Sequence, residues 1–179
     1  MKSIVDMFTE ALIRRHERKY ENFYVAVDLH GTIFKPSKIT NIEYDEKENT
    51  FAERVLDVGS GMPIAYPFAI NTLRLLSSYH MCRLILWTSS IPDEAEMARS
   101  VLEDSGVRIF YINENPECNG NGYADFRVKF CFDILLDDKA GFDPEHDWKA
   151  LWDFIRTTDW EGFYENADKK ITEMPDIFG

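Results

Sequence analysis

The fold of this chain is decided by the stretch Val25-Ala26-Val27-Asp28-Leu29-His30-Gly31-Thr32-Ile33. An apolar run that favours a β-strand stops at a carboxylate, and a Gly-Thr pair follows after two further residues. A strand with this ending presents Asp28 at its carboxyl-terminal edge, where open α/β sheets build their sites. Taken alone, Asp28 has three interpretations: a nucleophile, a metal ligand or a turn residue.

Strands and helices alternate along the rest of the chain. Apolar periodicity predicts strands over 23–28, 83–87, 107–112 and 132–136, and helices over 3–20, 68–79, 92–105 and from Asp143 onward. This alternation is typical of a parallel sheet with right-handed crossovers. We therefore expect an α/β fold, a three-layer Rossmann-like parallel sheet with helices on both faces.

The length of 179 residues and a hydrophobic fraction of 45% predict one domain over residues 1–179 with a sizeable core. Residues 1–22 contain its N-terminal helix. Residues 33–66 alternate around a polar turn and predict a small hairpin or flap. Residues 157–179 carry several aromatic side chains, and we expect this C-terminal tail to dock on the domain.

The composition excludes several classes of partner. A net charge of −12 disfavours a nucleic-acid backbone or an anionic membrane, because both need a basic surface. No apolar run approaches the ~20 residues that span a bilayer, and the first residues show no secretory pattern. The three cysteines form neither a disulfide framework nor a zinc site. We expect a reducing, cytoplasmic location.

Oxygen-bearing side chains end three of the four predicted strands: Asp28, Thr88 and Asp137, the last followed by Asp138. In a parallel sheet these ends meet at one edge, so the carboxylates should converge. Clustered carboxylates repel unless a cation lies between them, and hard oxygen ligands favour Mg²⁺. The ion would bind a phosphoryl oxygen and offset the repulsion between carboxylate and phosphate.

The remaining polar groups at this edge suit a phosphate. Thr88 offers a hydroxyl, its loop through Ser89 offers backbone N–H groups, and the helix over 92–105 directs its positive end there. Lys129 precedes the fourth strand and is the natural counter-charge, with Arg127 as the alternative cation. A nucleophile, a metal and fixed positive charge are the requirements of phosphoryl transfer.

Each of these residues also has a purely structural interpretation. Asp28 could cap a turn, Thr88 could belong to the N-cap region of the next helix, and the pair Asp137 and Asp138 could be a polar loop. Considered by itself, Lys129 could be an ordinary exposed lysine. The functional interpretation depends on the whole set occurring in this order.

The chain resembles the haloacid dehalogenase superfamily of phosphotransferases from about residue 23 to 148. The family's first motif is matched by Asp28-Leu29-His30-Gly31-Thr32, and its second by the strand that ends at Thr88. Lys129 stands for the third motif, and Leu135-Leu136-Asp137-Asp138 for the fourth. Within this superfamily, the sequence around these motifs is most similar to small, minimally capped bacterial phosphatases.

The resemblance implies that Asp28 is a nucleophile that forms an aspartyl-phosphate, and that Asp28, Asp137 and Asp138 hold Mg²⁺ together with the backbone carbonyl of His30. His30 departs from the family, which usually has an acid–base Asp there. Three interpretations stay open: a working acid–base with altered pH dependence, a slow or specialised enzyme, and a crippled site.

In the family, a cap domain is often inserted where residues 33–66 lie, and this flap is too short for a full cap. An open site suits a large substrate or closure by a second subunit of a homo-oligomer.

The resemblance favours a Mg²⁺-dependent phosphohydrolase acting on a small phosphorylated substrate. The alternatives are a non-catalytic phosphate-ligand or partner-binding protein, and a nucleotide or nucleic-acid-end phosphatase for which the basic cluster at residues 14–19 is the hint.

Overall fold

A four-stranded parallel sheet organises the part of the chain that the computed structural model describes, namely residues 2–35, 42–45, 50–53, 64–114 and 130–158. In chain order the elements are α1 (Ile4–Glu17), β1 (Phe23–Asp28), β2 (Ile42–Asp45), β3 (Thr50–Glu53), α2 (Ala69–Ser78), β4 (Cys82–Trp87), α3 (Pro92–Asp104), β5 (Ile109–Ile112), β6 (Ile134–Leu136) and α4 (Asp147–Thr157). The predicted tail lies outside these residues apart from Thr157 and Thr158.

The strand order of the main sheet is β5-β4-β1-β6, and every neighbouring pair is parallel. The register pairs Asp28 with Trp87 on one side of β1 and Val27 with Leu136 on the other. The predicted parallel α/β sheet is therefore confirmed. The carboxyl ends of β1, β4 and β6 lie at one edge.

One face of this sheet carries the main hydrophobic core. Alternate residues of a strand point to the same face, and Phe23, Val25 and Val27 all belong to this cluster. The four α-helices of the described ranges add the buried side chains Phe8, Leu12, Leu73, Leu76, Leu102, Trp148, Leu151 and Ile155. None of these helices is long and apolar enough to cross a bilayer.

The opposite face carries a second cluster built on Tyr24, Ala26 and Ile85. Trp87 and Phe130 flank it, with ring centroids 4.3 Å apart. Within the described ranges no helix contributes a residue to this cluster. The expectation of helices on this second face therefore stays a prediction.

The predicted hairpin within residues 33–66 is confirmed by the antiparallel pairing of β2 with β3. The two ends of this segment, residues 33–35 and 64–66, pair with each other and form a short stem. Phe34 forms an antiparallel bridge with Ala65. The Lys35 N–H donates to the Ile64 carbonyl at 2.8 Å, and the Tyr66 N–H donates to the Ile33 carbonyl at 2.9 Å.

Helix ends follow local sequence signals. Ser3 and Asp6 form a reciprocal capping box at the start of α1, and Pro92 occupies the first turn of α3. Gly106 ends the helical stretch of α3. Its φ is +81°, a left-handed conformation that glycine adopts without strain. This stop was predicted from the sequence.

The start of α4 differs from the sequence expectation of Asp143. The Asp143 side chain accepts the Glu145 N–H, and its carbonyl accepts from the N–H groups of His146 and Asp147. These bonds build a turn, so the regular helix begins at Asp147. The Asp143 side chain therefore caps a turn that precedes the helix.

A buried ion pair fastens α1 to the sheet. Arg15 Nε lies 3.2 Å from Asp133 Oδ2, without a hydrogen bond from that nitrogen. The guanidinium lies over the rings of Tyr20 and Tyr24, at 4.6 and 5.1 Å from their centroids. Asp133 also accepts the Tyr24 N–H at 2.8 Å. Burial raises the pKa of Asp133, and the Tyr24 N–H and Arg15 oppose that rise without cancelling it.

We expect Arg15→Ala to lower the free energy of unfolding by about 3 kcal/mol, because it leaves a buried carboxylate unpaired. Loss of the cation raises the pKa of Asp133 further above the unfolded value of 3.8. The cost should therefore be larger at pH 7 than at about pH 3, where the carboxyl is largely protonated in both states. Urea unfolding at the two pH values measures both effects.

The control is Arg156→Ala, which removes an exposed partner of Asp153 at 3.6 Å and should cost at most about 1 kcal/mol. Equal costs for the two variants, or a cost for Arg15→Ala that does not change with pH, would contradict the importance of the buried pair.

Candidate functional site

Three carboxylates meet at the carboxyl edge of the parallel sheet. Asp28 is the last residue of β1 and Asp137 directly follows β6, its neighbour in the sheet. With Asp138, each side chain offers one oxygen that lies within 4.8 Å of the other two. Asp28 and Asp137 are partly buried, whereas Asp138 is exposed. The residues that the strand endings predict to converge therefore lie together.

Burial and like charge raise the pKa of Asp28. Desolvation is the largest cause, and the carboxylates of Asp137 and Asp138 act in the same direction. The Leu29 N–H and the Thr32 hydroxyl favour the charged form but do not outweigh these effects. The folded protein thus holds this proton more tightly than the unfolded chain, so ionising Asp28 costs stability as the pH rises above its ordinary pKa of 3.8.

The donor set fits a hard divalent cation. All three side chains are carboxylates, and oxygen ligands of this charge suit Mg²⁺. Such a cation between them would replace the proton as the neutralising charge and remove the repulsion that raises the pKa of Asp28. The cluster therefore offers the oxygen ligands of a metal site, and its negative charges lack a cation that would neutralise them.

A buried hydrogen-bond chain holds the loop after Asp28. The Thr32 hydroxyl donates to Asp28 Oδ2 at 3.3 Å and accepts the Asp138 N–H at 3.0 Å. The Thr32 carbonyl accepts from the fully buried indole of Trp148 at 2.8 Å. The Thr72 hydroxyl donates in turn to the Trp148 carbonyl at 3.4 Å. The acidic ends of β1 and β6 are thus bound to each other and to α4.

Gly31 allows this loop to pass close to the third carboxylate. Its φ of +81° is left-handed, and a Cβ built on it would lie 2.8 Å from Asp138 Oδ2. Its N–H donates to the Phe34 carbonyl at 2.8 Å, which closes the turn. The left-handed conformation favours glycine here, and a side chain at this position would displace the Asp138 carboxylate from the cluster.

The loop after β4 lies at the same edge. Thr88 is buried, and its hydroxyl donates to Ser90 Oγ and accepts the Ser90 N–H, both at 3.1 Å. The Thr88 backbone is bound by the side chain of Asn113 through both its N–H and its carbonyl. Ser89 is exposed, and its N–H has no partner among the described residues. The loop therefore offers the Ser89 N–H to an anion, while the Thr88 hydroxyl is shared with Ser90.

His30 connects the two loops. Its exposed side chain places Nε2 at 3.1 Å from Ser90 Oγ, the same hydroxyl that receives the Thr88 hydrogen bond. The imidazole therefore lies beside the loop expected to bind phosphate, outside the group of three carboxylates. Its predicted role as a metal ligand concerns the backbone carbonyl and stays a prediction. The predicted cations Lys129 and Arg127 lie outside the described residues.

Three contributions to the site were not foreseen in the sequence. The spacing of Trp148 indicates only a core position in the last helix, although a buried indole N–H usually finds an acceptor. Asn113 lies in a polar segment that predicts a loop, although asparagine tolerates left-handed backbone better than most residues. Ser90 lies between the strand that ends at Thr88 and the helix predicted over 92–105, with no pattern that identifies its partners. The partners of these side chains are distant in sequence or set by loop conformation, which no local pattern encodes.

Comparisons with known proteins assign no family to this chain. No family model and no curated protein matches the sequence. Among solved structures, the conserved protein coded by a locus of Bacteroides thetaiotaomicron is 24% identical, with 75% of this chain and 90% of that chain covered and a TM-score of 0.46. We therefore base the function on the site residues themselves.

Trp148→Phe should weaken Mg²⁺ binding by about tenfold, because supporting partners of metal ligands typically contribute at least that much. It keeps an aromatic side chain but leaves the Thr32 carbonyl buried without its donor, at a cost of about 1–3 kcal/mol in the free energy of unfolding, to which the smaller ring adds a loss of packing. Calorimetric titration with Mg²⁺ and urea unfolding measure the two effects on the same protein.

The matched control is Ile155→Val on the same helix, which loses about 1 kcal/mol through packing alone. It should leave the Mg²⁺ affinity unchanged. If both variants lose affinity in proportion to their loss of stability, Trp148 supports the fold and not the carboxylates in particular.

Proposed function

We propose that this protein is a Mg²⁺-dependent phosphomonoester hydrolase of the haloacid dehalogenase type, with Asp28 as nucleophile. The observation that carries the proposal is the meeting of Asp28, Asp137 and Asp138 within 4.8 Å at the carboxyl edge of a parallel sheet. The Thr88 loop lies at that edge as well, on the strand next to β1. The carboxylates would supply the nucleophile and the metal ligands of phosphoryl transfer, and the loop would supply a donor for the phosphoryl oxygens.

In the first step a carboxylate oxygen of Asp28 attacks phosphorus. The bond to the ester oxygen breaks, and an aspartyl-phosphate forms on Asp28. The departing oxygen takes a proton, for which the protonated imidazole of His30 is the proposed donor; this transfer leaves the ring neutral for the second step. The Thr32 hydroxyl, 3.3 Å from Asp28 Oδ2, holds the carboxylate in one orientation for the attack.

In the second step water hydrolyses the aspartyl-phosphate. The neutral imidazole of His30 accepts a proton from the water, whose oxygen forms the new bond to phosphorus. The bond between phosphorus and the Asp28 oxygen breaks, which restores the carboxylate and releases inorganic phosphate. The contact of His30 with Ser90 keeps the ring beside the loop where the phosphoryl group would bind.

Charge compensation completes the site. Mg²⁺, when bound by the three carboxylates, would supply positive charge to the phosphoryl oxygens and to the attacking carboxylate. The Ser89 N–H is a further donor for the same oxygens. The resemblance assigns the remaining positive charge to Lys129. Together these groups would stabilise the charge that spreads over the phosphoryl oxygens during transfer.

The described residues do not favour a nucleic-acid-end phosphatase. The basic residues that suggested it end α1, and only the turn at 18–22 separates that helix from the first residue of β1. They therefore lie near the amino edge of the sheet, a strand length away from Asp28. Arg15 is also buried against Asp133 and is not available to a ligand. Phosphate release from an ester distinguishes the proposed hydrolase from a non-catalytic phosphate-binding protein.

Asp28→Asn should lower phosphate release from 4-nitrophenyl phosphate by at least about 10³-fold, because it replaces the attacking carboxylate with a neutral amide. Chelation of Mg²⁺ should abolish turnover by the unmodified protein and be reversed by added Mg²⁺. Asp104→Asn, a change of the same type at an exposed position at the end of α3, is the control and should keep full activity. Turnover that survives Asp28→Asn would contradict the nucleophile, and phosphate binding without turnover would identify the non-catalytic alternative.

His30→Asp should keep or raise activity, because it restores the acid–base residue of the family that the chain resembles. His30→Ala should lose about 10²-fold or more with an alkyl phosphate, whose leaving group needs the proton, and less with the aryl ester. Parallel kcat measurements with the two substrates test this. A complete loss of activity in His30→Asp would show that the imidazole has a role other than proton transfer.

A further inference from the structure

Asn113 has an unusual backbone conformation at the end of β5. Its φ is 54°, in the left-handed region, where few residues other than glycine are found. Three hydrogen bonds hold it there. Its N–H donates to the Leu86 carbonyl at 2.9 Å, its Oδ1 accepts the Thr88 N–H at 2.9 Å, and its Nδ2 donates to the Thr88 carbonyl at 2.7 Å.

The side chain of Asn113 replaces backbone at this point of the sheet. After the bond from the Asn113 N–H to Leu86, a regular parallel ladder would continue from the Thr88 N–H to the Asn113 backbone carbonyl. The bond is made instead to the side-chain carbonyl, and the side-chain NH₂ supplies the donor that a later β5 residue would provide. Thr88 is therefore held as if in a sheet, although β5 ends at Ile112.

We propose that Asn113 is the positioning residue of the phosphate-binding half of the site and acts through Thr88. The inference rests on the proposed function, because the ligand of the Thr88 loop is taken to be a phosphoryl group. With the Thr88 N–H and carbonyl both bound to Asn113, the next donor along the loop is the exposed Ser89 N–H. A fixed Thr88 fixes the place of that donor before the phosphoryl group arrives.

The metal-binding half of the site has a separate support. Asp28 and Asp138 are bound by Thr32, and Thr32 is held by Trp148 from α4. Asn113 has no hydrogen bond to any of these groups among the described residues. Loss of its side chain should therefore affect phosphate and spare Mg²⁺, which a general loss of stability would not do.

The test uses Asn113→Gly, which removes the amide and keeps a residue that accepts the left-handed conformation. Its matched control is Lys19→Gly, at a residue with a φ of 55° at the other edge of the sheet. Three measurements are made on the full chain: hydrogen exchange of the Thr88 amide by NMR, calorimetric affinity for inorganic phosphate at saturating Mg²⁺, and calorimetric affinity for Mg²⁺ alone.

In Asn113→Gly we expect the Thr88 amide to lose its protection and the phosphate affinity to fall by about tenfold, while the Mg²⁺ affinity changes less than about twofold. Lys19→Gly should match the unmodified protein in all three measurements. In Asn113→Asp, which keeps an acceptor for the Thr88 N–H but no donor for the carbonyl, part of the amide protection should return.

Unchanged phosphate affinity in Asn113→Gly would overturn the inference, as would equal losses of phosphate and Mg²⁺ affinity. A protein that binds phosphate in an Asn113-dependent way but hydrolyses no ester would overturn the proposed hydrolase and leave the inference standing. An unmodified protein that binds no phosphate would overturn both. Turnover with full phosphate affinity in Asn113→Gly would overturn the inference alone.

Discussion

Repulsion among the carboxylates of Asp28, Asp137 and Asp138 is the constraint on which this site depends. Three such groups within 4.8 Å would separate in a flexible chain because like charges repel, and burial together with the two neighbouring carboxylates raises the pKa of Asp28. The fold keeps them together through the pairing of β1 with β6 and through Thr32, which contacts both strand ends. The sheet therefore maintains an arrangement that the charges alone would disperse, and a divalent cation is the simplest partner for it.

Much of this arrangement could be predicted from local sequence. A run of apolar residues that ends in Asp28, and another that ends in Asp137, each identify a strand and its carboxyl edge. Parallel strands bring those edges together, so the meeting of the two carboxylates follows once the alternation of strands and helices is recognised. The stop at Gly106 and the hairpin between residues 33 and 66 also follow from short-range signals.

The supports of the site could not be predicted in the same way. The bond from Trp148 to Thr32 joins residues 116 positions apart, and the bonds from Asn113 to Thr88 join residues 25 positions apart. Periodicity marks Trp148 as core but does not identify the acceptor of its N–H. Asn113 is one of several asparagines in a polar segment, and only the departure of the chain from β5 distinguishes it. The start of α4 was missed because the Asp143 side chain stabilises a turn in place of the first helical residues.

The closed stem between Phe34 and Ala65 has a consequence for how the architecture can diversify. Backbone hydrogen bonds join residues 33–35, which follow β1, to residues 64–66, which precede α2, so the two ends of the intervening segment are fixed close together. Lengthening a loop whose ends are already fixed costs little, roughly 0.6 kcal/mol for each doubling. Fixed ends at residues 35 and 64 could therefore accept a longer or shorter insertion while the parallel sheet and its carboxyl edge stay as they are.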